Sequence, residues 1–197
     1  MEFRKQYTSI QVRFLLNLVV RHQIFTNELI IFFCFRFVAH KEAVHDVAFS
    51  PSGHLIASAS RDRTVRFWTP AVYGSSGEFR AHTAAVRSVH FSPDGKNIIT
   101  SSDDKTVKLW TVAKKRFIQS FSGHTNWVRC ARFSGDGHII ASCADDRNIK
   151  LFDPNSGKCF HSFEEDKGNL NQLEILPEVG YFTSMPIEVV YRAKSRV

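Results

Sequence analysis

The 197-residue chain is poor in the residues and patterns that build metal, phosphate and membrane sites. Its four cysteines, Cys34, Cys130, Cys143 and Cys159, include no C-x-x-C pair and no other short spacing. That pattern supplies neither a disulfide framework nor a zinc site. The thiols read as reduced side chains of an intracellular protein. Nine histidines are present, yet no H-x-x-x-H or H-E-x-x-H occurs, so no metal is expected. Gly-rich phosphate loops are absent, and the chain calls for no cofactor. Long apolar runs are missing as well. A spanning helix needs about 20 predominantly apolar residues. Between Phe14 and Val38 the apolar run is interrupted by Arg21, His22, Glu28 and Arg36. Arg4, Lys5 and Arg13 precede it, but no small-residue cleavage site follows, which argues against a secretory signal. Charge is scattered through the segment and does not fill one face, which disfavours an amphipathic membrane anchor.

What remains is the composition of a folded protein, 43% hydrophobic and 23% charged. Phenylalanine is abundant, at 18 residues against 2 methionines. The net charge of +7 favours acidic partners. Residues 1–38 differ from the rest and are expected to lie outside the downstream fold. Their Phe/Ile/Leu/Asn bias suits translated A/T-rich non-coding sequence or an alternative exon.

From residue 39 onward the chain repeats itself every 42 residues. Ala39-His40, Ala81-His82 and Gly123-His124 recur at that interval. So do Phe49-Ser-Pro-Ser-Gly53, Phe91-Ser-Pro-Asp-Gly95 and Phe133-Ser-Gly-Asp-Gly137. Asp62, Asp104 and Asp146 keep the same spacing, and Trp68, Trp110 and Phe152 close each unit. A period of about 40–45 residues is that of a β-propeller blade. The first unit shows how each blade is written. Val44–Phe49 alternates as a strand, and Ser50–Gly53 is a turn in which Pro51 presets φ and Gly53 accepts positive φ. Leu55–Ser60 is a second strand, Arg61-Asp62-Arg63 a tight turn, Thr64–Trp68 a third strand and Gly77–Arg80 a fourth. The expected fold is all-β: a partial, open β-propeller of three four-stranded blades and a degenerate fourth. The expected domains are an apolar and basic segment at 1–38, three repeats at 39–163 (39–80, 81–122, 123–163), and a degenerate fourth repeat with tail at 164–197. In that last part Leu173, Ile175 and Pro177 fit a first strand and its turn, Gly180 is one residue late, and Glu188 falls near the expected aspartate.

The Gly-His-like dipeptide, the aspartate six residues before tryptophan and the 42-residue period resemble the WD-repeat (WD40) family. The units end Trp68-Thr69, Trp110-Thr111 and Phe152-Asp153, so the Trp-Asp signature is imperfect. The resemblance implies a buried network in each unit. Its members are His40, Ser58, Asp62 and Trp68; then His82, Thr100, Asp104 and Trp110; then His124, Ser142, Asp146 and Phe152. Aspartate accepts from one imidazole nitrogen, the other nitrogen meets the hydroxyl, and the hydroxyl receives the indole N–H. His, Asp and Ser also compose a catalytic triad, but threefold recurrence argues for structure and against an enzyme. Phe152 removes the indole donor from the third network.

A basic ladder accompanies the aspartates. Arg63, Lys105 and Arg147 follow them directly, and Arg66, Lys108 and Lys150 stand three residues further on. Such side chains solvate turns and strands. They also make an electrostatic arc for an acidic polymer such as a tubulin tail or RNA. No aromatic-interleaved stacking platform supports nucleic acid.

The stretches HKEAVHDVAFSPSGHLIASASRDRTVRFW, FRAHTAAVRSVHFSPDG, SSDDKTVKLW and NWVRCARFS resemble the centriolar WD-repeat family called proteome of centriole protein 1. That resemblance implies a non-enzymatic scaffold of centrioles and basal bodies, in the cytoplasm and on the cytoskeleton, supporting centriole stability and cilium formation. Its partners would be centriolar or microtubule-associated proteins, tubulin among them, with no small-molecule substrate. A generic adaptor, either a ubiquitin-ligase substrate receptor or an RNA-associated scaffold, is the alternative. The family has a complete seven-bladed ring and a C-terminal coiled coil, so both ends here read as truncation or divergent splicing. An open ring leaves end faces bare. Val47, Phe49, Val65 and Phe67 on the first blade, and Val128, Phe133, Ile149 and Leu151 on the third, are expected on those faces. They would favour self-association, unless Leu29–Val38 folds over the first.

Overall fold

A computed structural model describes residues 7–8, 22–26, 29–35, 37, 39–70, 76–164, 169–175 and 189–194. Among the described residues all long regular structure is β. Three short strands, β1 (Tyr7–Thr8), β2 (His22–Thr26) and β3 (Leu29–Phe35), form a separate sheet in the order β1-β3-β2. Three four-stranded antiparallel sheets follow. The first holds β4 (Val44–Phe49), β5 (Ile56–Ser60), β6 (Thr64–Trp68) and β7 (Ser76–Arg80). The second holds β8 (Val86–Phe91), β9 (Asn97–Ser102), β10 (Val107–Thr111) and β11 (Phe117–Phe121). The third holds β12 (Val128–Phe133), β13 (Ile140–Ala144), β14 (Asn148–Phe152) and β15 (Cys159–Glu164). Each sheet runs in simple up-and-down order, the plan of a propeller blade. Among the described residues the fourth unit has two strands, β16 (Asn169–Ile175) and β17 (Val189–Lys194), paired antiparallel to each other. Pro177, Gly180 and Glu188 lie outside the described residues.

Local chemistry explains the hairpins. After β4, β8 and β12 the Phe-Ser-x-x-Gly turns close with Gly53, Gly95 and Gly137 at φ of 73°, 71° and 77°. That left-handed region favours glycine. The turn serine fastens the loop: Ser92 Oγ accepts the Asn97 N–H at 3.0 Å, and Ser50 and Ser134 do the same for Leu55 and Ile139.

Each blade buries its apolar side chains against the next. Val65 and Phe67 pack with Val86, Val89, Phe91 and Trp110. Val107, Leu109 and Phe121 pack with Val128, Phe133 and Phe152. Ile149, Leu151 and Cys143 pack with Leu170 and Leu173 of β16. Fully burying one such side chain stabilises by about 1.5–3 kcal/mol. These contacts correct the expectation that both end faces carry those residues bare. Val65, Phe67, Val128 and Phe133 point into the gaps flanking the second blade, and the fourth sheet covers Ile149 and Leu151. Alternation assigns residues to two sides of a strand, but it does not say which side meets which neighbour. Phe49 does remain 43% exposed, and Val47 packs beside Trp68, Phe37 and Ala39.

Polar latches with the same period cross between blades. Asp46 Oδ2 accepts the Val89 N–H at 3.1 Å and Ser88 Oγ accepts the Ala131 N–H at 3.0 Å. The third position is Cys130, whose thiol approaches the Leu173 carbonyl at 3.8 Å. A sequence reading that follows the larger motifs overlooks Asp46, Ser88 and Cys130, although their 42-residue spacing was available.

Candidate interaction face

The loop before each first strand and the turn between second and third strands meet at one end of every blade. Arg61, Asp103 and Asp145 donate their backbone N–H to the carbonyls of Ala43, Ala85 and Trp127 at 2.8, 3.0 and 2.9 Å. Beneath this seam lie the histidine networks. Asp62, Asp104 and Asp146 are acceptors, so Nδ1–H of His40, His82 and His124 donates to them, at 2.9, 2.8 and 2.8 Å. Nε2 is then an acceptor and takes the hydroxyl proton of Ser58, Thr100 or Ser142, at 2.7, 2.7 and 2.8 Å. Trp68 and Trp110 donate their indole N–H to Ser58 and Thr100 at 2.9 and 3.0 Å. Phe152 stands in the third unit without a donor, so its Ser142 keeps one bond fewer.

The electrostatics match this assignment. Burial holds His40, His82 and His124 below their usual range, against the pull of the paired aspartates. Burial alone would raise Asp62, but hydrogen bonds from Thr64, His40 and the Lys41 backbone bring it down to about 2. Asp104 and Asp146 are lowered by the same kind of contacts. At neutral pH the network is a neutral imidazole clamped between a carboxylate and a hydroxyl. Both imidazole nitrogens of each histidine, with the carboxylate and the hydroxyl they meet, are engaged in these bonds.

The adjoining turns carry the basic residues. Asp62 Oδ1 accepts the N–H and the hydroxyl of Thr64 at 3.0 and 2.5 Å, which pinches the chain at residue 63. Arg63, Lys105 and Arg147 consequently sit at φ of 70°, 70° and 64°, with exposed side chains. The second row of the ladder is occupied within its own blades. Arg66 pairs with Glu78. Lys108 lies 3.3 Å from the Ala81 carbonyl and 4.0 Å from Asp104, and Lys150 lies 3.2 Å from Ser162 Oγ. Within the ladder, the charges left without an ion pair among the described residues include those at the turns, Arg63, Lys105 and Arg147.

Sequence reasoning missed the groups beside that arc. A β-bulge at the start of each first strand sets His45, Arg87 and Arg129 out of register. Arg87 and Arg129 each grip the aspartate of the neighbouring turn, Asp103 and Asp145. Both guanidinium groups face the Trp127 ring, 5.8 and 5.1 Å from its centre, and Trp127 is 44% exposed. The available signal was a departure from the repeat: Ala43 and Ala85 are followed 42 residues later by Trp127. Among the described residues no group of three or more His, Cys, Asp or Glu is placed to hold a metal ion.

Comparison with known proteins gives the architecture its family. Short stretches are similar to Polyadenylation factor subunit 2 of three organisms. The Kluyveromyces lactis protein is 61% identical over 31 residues, 16% of this chain. The Eremothecium gossypii protein is 57% identical over 30 residues, 15% of this chain, and the Saccharomyces cerevisiae protein 46% over 33 residues, 17% of it. Each match spans 7% of the relative's own length. The family described as "WD domain, G-beta repeat" matches residues 32–69, 74–111 and 115–153, more than half of the chain. WD-repeat proteins are generally non-enzymatic scaffolds that mediate protein–protein interactions, and with three such matches on three successive blades the chain belongs to the WD-repeat family.

Proposed function

We propose that the turn-bearing end of the blades holds acidic segments of partner proteins, as part of a scaffold at centrioles and basal bodies. One observation carries the charge preference. At three equivalent left-handed positions, where glycine is the least costly residue, the chain keeps Arg63, Lys105 and Arg147 exposed. A left-handed conformation costs an L-residue about 1–2 kcal/mol, so three charges retained there are accounted for by what they meet in solution. The Arg87–Trp127–Arg129 cluster adds an amphipathic anchor beside them. The centriolar setting rests on the likeness of the repeat sequences, and acidic tubulin tails fit the charge. A second reading, a scaffold within an RNA-processing assembly, draws on the name of those relatives.

The test combines imaging with sedimentation. A tagged chain is expected at centriolar puncta, and the protein is expected to co-sediment with intact microtubules but not with microtubules stripped of acidic tails. The triple variant Arg63→Gly, Lys105→Gly, Arg147→Gly is expected to lose that binding while melting no lower than the parent. Nuclear signal and unchanged sedimentation of the variant would refute the centriolar reading and favour the second.

A further inference from the structure

Cys130 and Cys143 are buried reactive groups that neither the histidine networks nor the basic arc uses. They stand opposite each other on neighbouring antiparallel strands, β12 and β13. Directly opposed residues in such a pair have Cα atoms about 4.5–5.5 Å apart, inside the roughly 4.4–6.8 Å that a disulfide spans. The second blade shows where side chains at these two positions point. Its equivalents, 42 residues earlier, are Ser88 and Ser101, which are also opposed, and their hydroxyl oxygens lie 2.7 Å apart. The first blade has Asp46 opposite Ala59 there. Of the three blades, the third alone places two thiols at this pair of positions.

The thiols lie under β16. Cys130 is 2% exposed and Cys143 0%, and both pack with Leu170 and Leu173. The Cys130 thiol is directed at the Leu173 carbonyl at 3.8 Å, and the Cys143 thiol at the Leu170 carbonyl at 3.6 Å. Both bonds latch β16 to the third blade, where Ser88 Oγ latches Ala131 between the blades before. A cavity of about 470 Å³ opens beside them, with Arg132, Phe133 and Leu173 in its lining. Leu173 therefore stands between the cavity and Cys130. Hydrogen peroxide is little larger than water, so a local opening at Leu173 is enough to admit it. The two thiols are not equivalent. A hydrogen bond from Cys143, helped by the Arg132 charge, draws Cys130 down to about 7, and the same contact together with burial pushes Cys143 up. The thiolate is the form that reacts, so Cys130 is the sulfur that attacks first.

We propose that Cys130 and Cys143 are an oxidative modification site for hydroperoxides, and that closing a disulfide across β12 and β13 loosens β16. With hydrogen peroxide, the Cys130 sulfur attacks one peroxide oxygen and the O–O bond breaks. Hydroxide leaves and takes up the proton that Cys130 released, which gives water and a sulfenic acid on Cys130. The Cys143 sulfur then attacks the Cys130 sulfur. The S–S bond forms, the S–O bond breaks, and the oxygen departs as water with the Cys143 proton. Two thiols have lost two electrons, and one peroxide has become two waters. The disulfide carries no S–H, so the bonds to the Leu170 and Leu173 carbonyls are lost together.

The experiment treats the reduced full chain with hydrogen peroxide, blocks remaining thiols with N-ethylmaleimide and maps the cysteines by mass spectrometry. The expected product is an intramolecular Cys130–Cys143 bond that dithiothreitol reverses. In Cys143→Ser, Cys130 should stop at a sulfenic acid that dimedone captures. Cys130→Ser combined with Cys143→Ser copies the serine pair of the second blade, and its hydrogen exchange should not respond to peroxide. In the parent, oxidation should speed amide exchange in residues 169–175 at least about threefold, while β8 and β9 change less than about twofold. A pair that stays reduced while the exposed Cys159 is oxidised, or bonds that join Cys34 or Cys159 instead, would overturn the proposal. So would a Cys130–Cys143 disulfide with unchanged exchange at 169–175. Equal acceleration in β8 and β9 would also overturn it, since oxidation would then unfold the blades generally.

Discussion

Replacing Asp104 with alanine isolates the energetic role of the buried networks. The carboxylate accepts Nδ1–H of His82 at 2.8 Å, the Thr106 hydroxyl and N–H at 2.6 and 3.2 Å, and the Thr83 N–H at 3.2 Å. The His82 side chain is 0% exposed, so its N–H finds no water when the acceptor is removed. A stranded buried donor costs about 1–3 kcal/mol, and the lost charge-assisted bonds of the turn add about 1 kcal/mol more. The expected loss is about 2–4 kcal/mol, or roughly 4–16 °C in the thermal midpoint of a chain this size. Asp94 is the control. It also accepts two local bonds, from the Ser92 hydroxyl at 2.5 Å and the Lys96 N–H at 3.0 Å, but its side chain is 50% exposed. Water replaces those bonds, so Asp94→Ala is expected to cost no more than about 0.5 kcal/mol. Differential scanning calorimetry of the two variants decides the matter. Equal midpoints would refute the claim that the His82 network is a buried structural brace.

Trp110→Phe removes the indole bond to Thr100 and is expected to cost about 1 kcal/mol in urea denaturation; an unchanged midpoint would mean the indole N–H contributes nothing there. Low pH should destabilise the fold. Burial keeps His40, His82 and His124 below their usual 6.5, and His90 at about 4. The unfolded chain therefore binds more protons than the folded one below pH 6.5, and stability falls as pH drops through that window. Asp62, held at about 2 against its usual 3.8, adds a further loss below pH 3.8. A melting temperature constant from pH 7 to 5 would contradict the histidine assignment. Lys105→Gly should stabilise by up to about 1 kcal/mol, because φ of 70° suits glycine, whereas Lys105→Val should destabilise; chemical denaturation giving the reverse order would show that the turn adopts another conformation.

The 42-residue period and the turn chemistry made the blades legible in the sequence alone. Ser-Pro-Asp-Gly marks a turn because glycine accepts positive φ, and Thr64–Trp68 reads as a strand because β-branched and aromatic residues suit a pleated surface. The recurring His, Asp and hydroxyl residues were visible for the same reason, since each is repeated in register. Other features depend on how the blades pack. Period-two alternation left open which side of β6 or β12 meets which neighbour, so Val65 and Val128 were expected on bare faces and are buried between blades. The cluster of Arg87, Arg129 and Trp127 exists only because the bulges of two neighbouring blades bring their side chains together. Local sequence determines turns and strands through short-range sterics. Burial and exposure belong to surfaces formed by residues about 42 positions apart, and only the assembled blades decide those.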